Sequence, residues 1–153
     1  MPYVIEEKEV QPQLVVTIRV TTSELEIGSS LGDMITALWL YVVKAGVRPA
    51  GMPFARYHQF HEGSVDFEAG IPVAEPVPGE GQITAGELPG GRVAATWHVG
   101  PYENLPEAYQ ALEAWFKEHG REIAGVPWEI FWAGPVEVQD PSQWETEVLW
   151  PIE

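Results

Sequence analysis

The chain has 153 residues, 45% hydrophobic and 20% charged, which excludes a disordered chain and predicts one globular domain able to bury its core without covalent staples. Its 8 basic and 23 acidic side chains leave a formal charge of −15, a field that repels phosphate backbones and anionic lipid and so argues against direct nucleic-acid or membrane binding. With no cysteine there is no disulfide framework, thiolate metal site or thiol nucleophile. The acidic surface is first of all a solubility device, and it also suits a cationic ligand or a basic protein partner. The start, Met1 to Glu9, lacks the basic and apolar regions of a signal peptide, and the longest apolar run, near Met34 to Val43, is too short for a membrane span; a cytoplasmic protein is expected.

In chain order, Tyr3 to Glu9 alternates acidic with apolar residues, Gln11-Pro12-Gln13 interrupts, and Leu14 to Val20 is dense in β-branched residues, which predicts two strands. Thr21 to Glu26 is polar and predicts a loop. Ser29 or Ser30 offers an N-cap, with Asp33 following, and Leu31, Met34, Ile35, Leu38, Trp39 and Val42 recur at helical spacing until Gly46 ends the helix. That stripe, including Trp39 and Tyr41, is what an amphipathic helix packs on a core; Trp39 is also a candidate ligand contact. Phe54 to Phe60 and Val65 to Ile71 predict a hairpin about Gly63, with Val65, Phe67, Ala69 and Ile71 on one face and Asp66 and Glu68 on the other. Pro72 to Gly81 has no period and predicts a crossover.

Beyond it the order of elements repeats. Gln82 to Leu88 and Arg92 to Val99 predict strands around Pro89-Gly90-Gly91, the second with Val93, Ala95 and Trp97 facing away from Arg92, Ala94, Thr96 and His98. Asn104, Pro106 and Glu107 form a capping-box variant that opens a helix with Leu105, Ala108, Tyr109, Leu112, Trp115 and Phe116 as its stripe and Gly120 at its end. A strand over Trp128 to Ala133, a loop over Gly134 to Gln143 and a final strand over Glu145 to Ile152 complete the chain. Gly51-Met52-Pro53-Phe54 recurs as Gly125-Val126-Pro127-Trp128, and Phe67 to Pro72 recurs as Thr146 to Pro151. The expectation is one α+β domain over residues 1–153, made of duplicated ββαββ halves at about 1–73 and 82–153. Pseudo-two-fold symmetry, antiparallel sheets and one main helix per half would enclose a central groove suited to a ligand.

The last strand carries two carboxylates where a covered strand has little use for them. Glu147 lies between Thr146 and Val148, and a buried carboxylate must accept hydrogen bonds, protonate or meet a cation. It is therefore either a pocket acid, able to anchor a cation or act as a general base, or an ordinary glutamate on the rim or paired with Arg56 or Arg92. Glu145 projects to the same face of an ideal strand, and Glu68 is the counterpart of Glu147 in the first half. Seven tryptophans are many for this length; Trp97, Trp128 and Trp132 can fill the core or stack on a flat or cationic ligand at ~0.5–2 kcal/mol each. Tyr57 can pack or donate its hydroxyl. His58, His61 and Glu62 have neither a second cluster nor helical spacing, so no metal site is expected; there is no nucleophile elbow or phosphate loop, and no cofactor is expected, haem being the lesser alternative because no histidine clearly faces a groove.

Phe54-Ala55-Arg56-Tyr57, Phe67 to Val73, Gly90 to Ala94, His98 to Leu105 and Glu145 to Ile152, in this order and spacing, resemble the GyrI-like small-molecule-binding domain, the effector-binding domain of AraC-type and MerR-type activators. The resemblance covers nearly the whole chain and implies a duplicated fold with Glu147 in a groove, meeting cationic parts of aromatic ligands. It implies stacking walls from Tyr57, Trp97, Phe131 and Trp132. The chain resembles a stand-alone member without a basic helix-turn-helix. Its expected function is to hold aromatic, amphipathic or cationic compounds in an acidic, aromatic-lined groove, as multidrug-binding members do. Two alternatives accompany it: a hydrolase of strained or electrophilic molecules with Glu147 as base and Tyr57 polarising the substrate, and an acidic regulator of the gyrase-inhibitor type acting on a protein partner.

Overall fold

The computed structural model describes residues 3–134 and 137–153. The fold is α+β, with antiparallel strands β1 (Glu6–Val10), β2 (Gln13–Ser23), β3 (Phe54–His61), β4 (Ser64–Pro72), β5 (Thr84–Leu88), β6 (Gly91–Val99), β7 (Trp128–Ala133) and β8 (Glu145–Pro151) and helices α1 (Ile27–Ala45) and α2 (Leu105–Glu118). Among the described residues no helix is long and apolar enough to cross a membrane. The loop expected over Gly134 to Gln143 contains a 3-10 turn at Pro141–Gln143; Pro135 and Val136, like Met1 and Pro2 at the start, lie outside the described residues.

Two compact units result. The first, Gln11–Gly90, has the strand order β3-β4-β2-β5; the second, Gly91–Glu153 with β1, has the order β1-β6-β8-β7. Along the chain the order is strand, strand, helix, strand, strand, twice over. The pairing was not legible from that order: β1 lies against β6, with Glu6 opposite Ala95 and Lys8 opposite Val93, so the first strand of the chain belongs with the last third of it.

In the first unit Val65, Phe67, Ala69 and Ile71 of β4 are fully buried against Leu38, Val42, Met34 and Tyr41 of α1. In the second, Ala94 of β6 and Val148 of β8 are covered by Leu105, Ala108, Leu112 and Phe116 of α2. Each of the Val, Leu, Ile, Met and Phe side chains among them contributes about 1.5–3 kcal/mol, which is why period 2 in the strands and 3.6 in the helices were enough to locate the cores. Each helix therefore covers one sheet face of its unit and leaves the other face without a helix.

The element ends differ from expectation in informative ways. Thr21, Thr22 and Ser23 continue β2 because Asp66, Val65 and Ser64 of β4 pair with them. Helix α1 starts at Ile27, ahead of both candidate serine caps, since a 3-10 turn at Glu24–Glu26 already winds the chain; Ser29 instead donates to the Glu26 carbonyl. Asn104 does occupy the α2 N-cap, but its side chain makes no capping bond, a 3-10 turn at Tyr102–Asn104 again preceding the helix. Gly46 ends α1 in the left-handed region at φ 68°, where other residues are strained.

The two repeated segments occupy matching places. Gly51 packs on Pro72 at the end of β4 and Gly125 on Pro151 at the end of β8. The backbone N–H of Ala50 donates to the Pro72 carbonyl, and that of Ala124 to the Pro151 carbonyl.

Candidate functional site

The helix-free face of the second unit is defined by strand parity. Val148 points beneath α2, so its neighbours Glu147 and Leu149 point the other way. Glu147 sits directly between Trp97 of β6 and Ile130 of β7, whose apolar bodies exclude water from it, and it is only 3% exposed. The burial is supported by two donors. Lys8 Nζ lies 2.5 Å from Glu147 Oε2, and Trp132 Nε1 donates to Oε1 at 3.1 Å. A bulge between Phe131 and Ala133 re-aims Trp132 so that its N–H reaches the neighbouring strand. The same turn of the backbone brings its ring to 5.9 Å from that of Trp97, at an angle of 38°.

Trp97 and Trp132 are 47% and 44% exposed, unusual for the largest apolar side chain. They therefore form an open aromatic surface beside a buried carboxylate. Next to them a cavity of about 220 Å³ is lined by Tyr3, Val4, Glu6, Ala95, Trp97 and Glu147. Chemically, this arrangement offers a buried carboxylate with a second, exposed one at Glu6, indole faces that attract cations, and a recess with room for an aryl group.

The remaining expected residues are distributed elsewhere. Glu145 is exposed at the start of β8, opposite Val99 and Ala133. Trp128 faces the same way as Glu147 but is 2% exposed beside Leu149, which makes it a packing residue. Phe131 lies on the α2 side, edge-on to Tyr102 at 5.8 Å. Tyr102 also packs against Trp144 at 4.8 Å, and burial, reinforced by Glu137 and Glu129, pushes its hydroxyl up to about 12. Tyr57, Glu68 and Trp39 belong to the first unit, where Tyr57 stacks on Phe60 and Phe67 and Trp39 packs against the α1 core.

Glu68 shows why equivalent positions are not chemically alike. A bulge in β3 at His58 matches the one at Trp132, and His58 Nε2 lies 2.8 Å from Glu68 Oε1 as the Trp132 indole bonds Glu147. The flanking residues differ, however: Glu68 sits between Arg19 and Arg56 where Glu147 sits between Trp97 and Ile130. Across the ladder Glu68 thus faces two positive groups, whereas Glu147 faces apolar ones and takes its positive partner, Lys8, from β1.

Neither Arg56, which lies opposite Glu68 in the first unit, nor Arg92 pairs with Glu147. Arg92 donates to Glu7 at 3.0 Å, and Arg121 binds the same carboxylate at 2.7 Å; the Arg121 hydrogen bond, helped by both charges, holds the Glu7 carboxyl below its ordinary range. Sequence reasoning missed Lys8. Its signal was present, as the single base in Glu6-Glu7-Lys8-Glu9 on an alternating strand, but its target depends on the β1–β6 pairing.

The chain belongs to the GyrI-like family: the GyrI-like small molecule binding domain matches residues 1–153. Among solved structures, the EcmrR C-terminal domain is similar at 28% identity and TM-score 0.90, over 100% of this chain and 99% of that one. EcmrR in complex with DNA is similar at 27% identity and TM-score 0.88, over 99% of this chain, which spans 57% of the longer EcmrR chain. Two more distant structures share the fold: SAV2435 bound to tetraphenylphosphonium, at 10% identity and TM-score 0.64 over 100% of this chain and 94% of that one, and a hydrolase from Listeria innocua, at 11% and 0.72 over 97% and 91%. No curated protein matches the chain at a significant level.

Proposed function

We propose that the helix-free face of the second unit binds aromatic organic cations, with Glu147 as the anchoring charge and Trp97 and Trp132 as the aromatic walls. One observation carries this reading: the buried carboxylate already holds a cation, the Lys8 ammonium, beside two half-exposed indoles. A ligand cation can take the place of that ammonium while its aryl group lies against the indoles or enters the 220 Å³ recess. Contact with the rings adds about 0.5–2 kcal/mol per indole as water is excluded. The charge of −15 favours encounter with such ligands and opposes phosphate-bearing ones. SAV2435, which shares the fold, was solved with tetraphenylphosphonium, an aromatic cation of this class.

Both Glu147 oxygens are engaged, one by Lys8 and one by the Trp132 indole. That suits a fixed anchor better than a base open to a water molecule, so binding is favoured over hydrolysis. Titration with tetraphenylphosphonium, followed by tryptophan emission, tests the reading. Saturable quenching is expected, weakened about tenfold or more in Glu147→Gln, since a lost charge-assisted contact is worth about 1.5–3 kcal/mol. Quenching that does not saturate, or an unchanged affinity in Glu147→Gln, rejects it.

A further inference from the structure

The geometry points to a second binding site, on the helix-free face of the first unit, for a neutral small molecule whose carbonyl-type oxygen accepts from Arg56. A cavity of about 280 Å³ lies there, bordered by Arg19, Arg56, Glu68, Thr17, Thr84 and Phe54. The Arg56 side chain is only 21% exposed; its Nε is fully enclosed and without a hydrogen-bond partner among the described residues, so the Nη groups are the donors the cavity can reach. Its Nη1 stands 3.8 Å from Glu68 Oε1, an ion-pair distance too long for a hydrogen bond. The nearer partner of that same oxygen is the His58 ring nitrogen, at 2.8 Å. Arg19, by contrast, is satisfied by a two-pronged pair with Asp66 at 2.9 and 2.8 Å. A largely buried guanidinium with unused donors at a cavity wall calls for an oxygen from outside the chain.

The surroundings select the ligand class. A carboxylate would meet Glu68 at the cavity wall and the chain's charge of −15, while a cation would meet two arginines. A neutral carbonyl, as in an amide or ketone, accepts a charge-assisted hydrogen bond without either repulsion. The floor suits a flat apolar body. Gly70 faces Phe54 across the β3–β4 ladder, and a Cβ there would lie 2.4 Å from the Phe54 ring, so the glycine is what lets that ring lie across the strand. The site is independent of Glu147, which belongs to the other unit, and the two readings fail separately.

The test uses the whole chain and three probes of one ring size: benzamide, benzoate and benzylamine. Nitrogen–proton NMR follows the arginine Nε–H resonances and the amides of Thr84, Gly86 and Leu88. Saturable shifts at Arg56 Nε–H and Gly86 are expected with benzamide, at an affinity about fivefold or more above that of the two charged probes. Arg56→Lys keeps the charge and loses the planar fork, so benzamide binding weakens about fivefold or more. Absence of saturable shifts at Arg56, equal or tighter binding of benzoate or benzylamine, or full benzamide affinity in folded Arg56→Lys each overturns the proposal. Should Arg56→Lys not fold, the ranking of the three probes on the unaltered protein decides the matter.

Discussion

Lys8→Met should tighten the binding of an aromatic cation while destabilising the free protein. Lys8 and Glu147 form a pair whose side chains are 33% and 4% exposed. A hydrogen bond to a charged group contributes about 1.5–3 kcal/mol, and the exposure of the ammonium places this one near the lower end. An incoming cation must release that ammonium before it can use the carboxylate. Removing Lys8 removes the competition, so affinity for tetraphenylphosphonium should rise about tenfold, the equivalent of ~1.4 kcal/mol. The free protein should lose about 1.5 kcal/mol or more, because a buried carboxylate is left with the Trp132 indole as its remaining described donor. Fluorescence titration and urea denaturation on the same variant read both quantities. Loss of stability with unchanged or weaker cation affinity would refute the idea that Lys8 occupies the ligand's place, and unchanged stability would refute the pair itself.

Two further predictions concern the scaffold. Gly70→Ala would place a Cβ 2.4 Å from Phe54 Cζ and 2.9 Å from Thr17 Cγ2, so overpacking should cost about 1–3 kcal/mol; an unchanged urea midpoint would contradict that close approach. Tyr102 titrates at 10.0 when free and at about 12 in the fold, where burial favours its neutral form; the stability this contributes is complete below pH 10.0 and is lost as pH rises through about 12. Tyr102→Phe should lack that alkaline decline, and urea midpoints measured against pH that run parallel in the two proteins would count against it.

Much of the architecture was legible because it rests on local periodicity. The alternation in Val65 to Ile71 and the 3.6 spacing of Met34, Leu38 and Val42 determine which faces are buried whatever lies opposite them. Helix starts were less legible: serines at 29 and 30 looked like caps, but a preceding 3-10 turn had already set the helical winding. Among site residues, Trp97 and Glu147 come together because residues of matching parity on adjacent strands share a face, and Trp132 joins them through the bulge in β7. Trp128 obeys the same parity and is buried all the same, because exposure depends on what covers a face and not on the strand alone.

By itself the sequence determined the succession of strands and helices, the two repeated segments, the acidic charge and the presence of a carboxylate in an apolar strand. Each of these is a property of neighbouring residues or of composition. The tertiary structure alone decided what that carboxylate meets. Lys8 is 139 positions from Glu147 in sequence, and only the pairing of β1 with β6 and of β6 with β8 brings them within contact. The same holds for the contrast between the units: Glu68 and Glu147 occupy matching strand positions, and the residues across the ladder, arginines in one case and a tryptophan and an isoleucine in the other, set their chemistry apart. Cross-strand neighbours are fixed by register, a non-local property that no window of sequence contains.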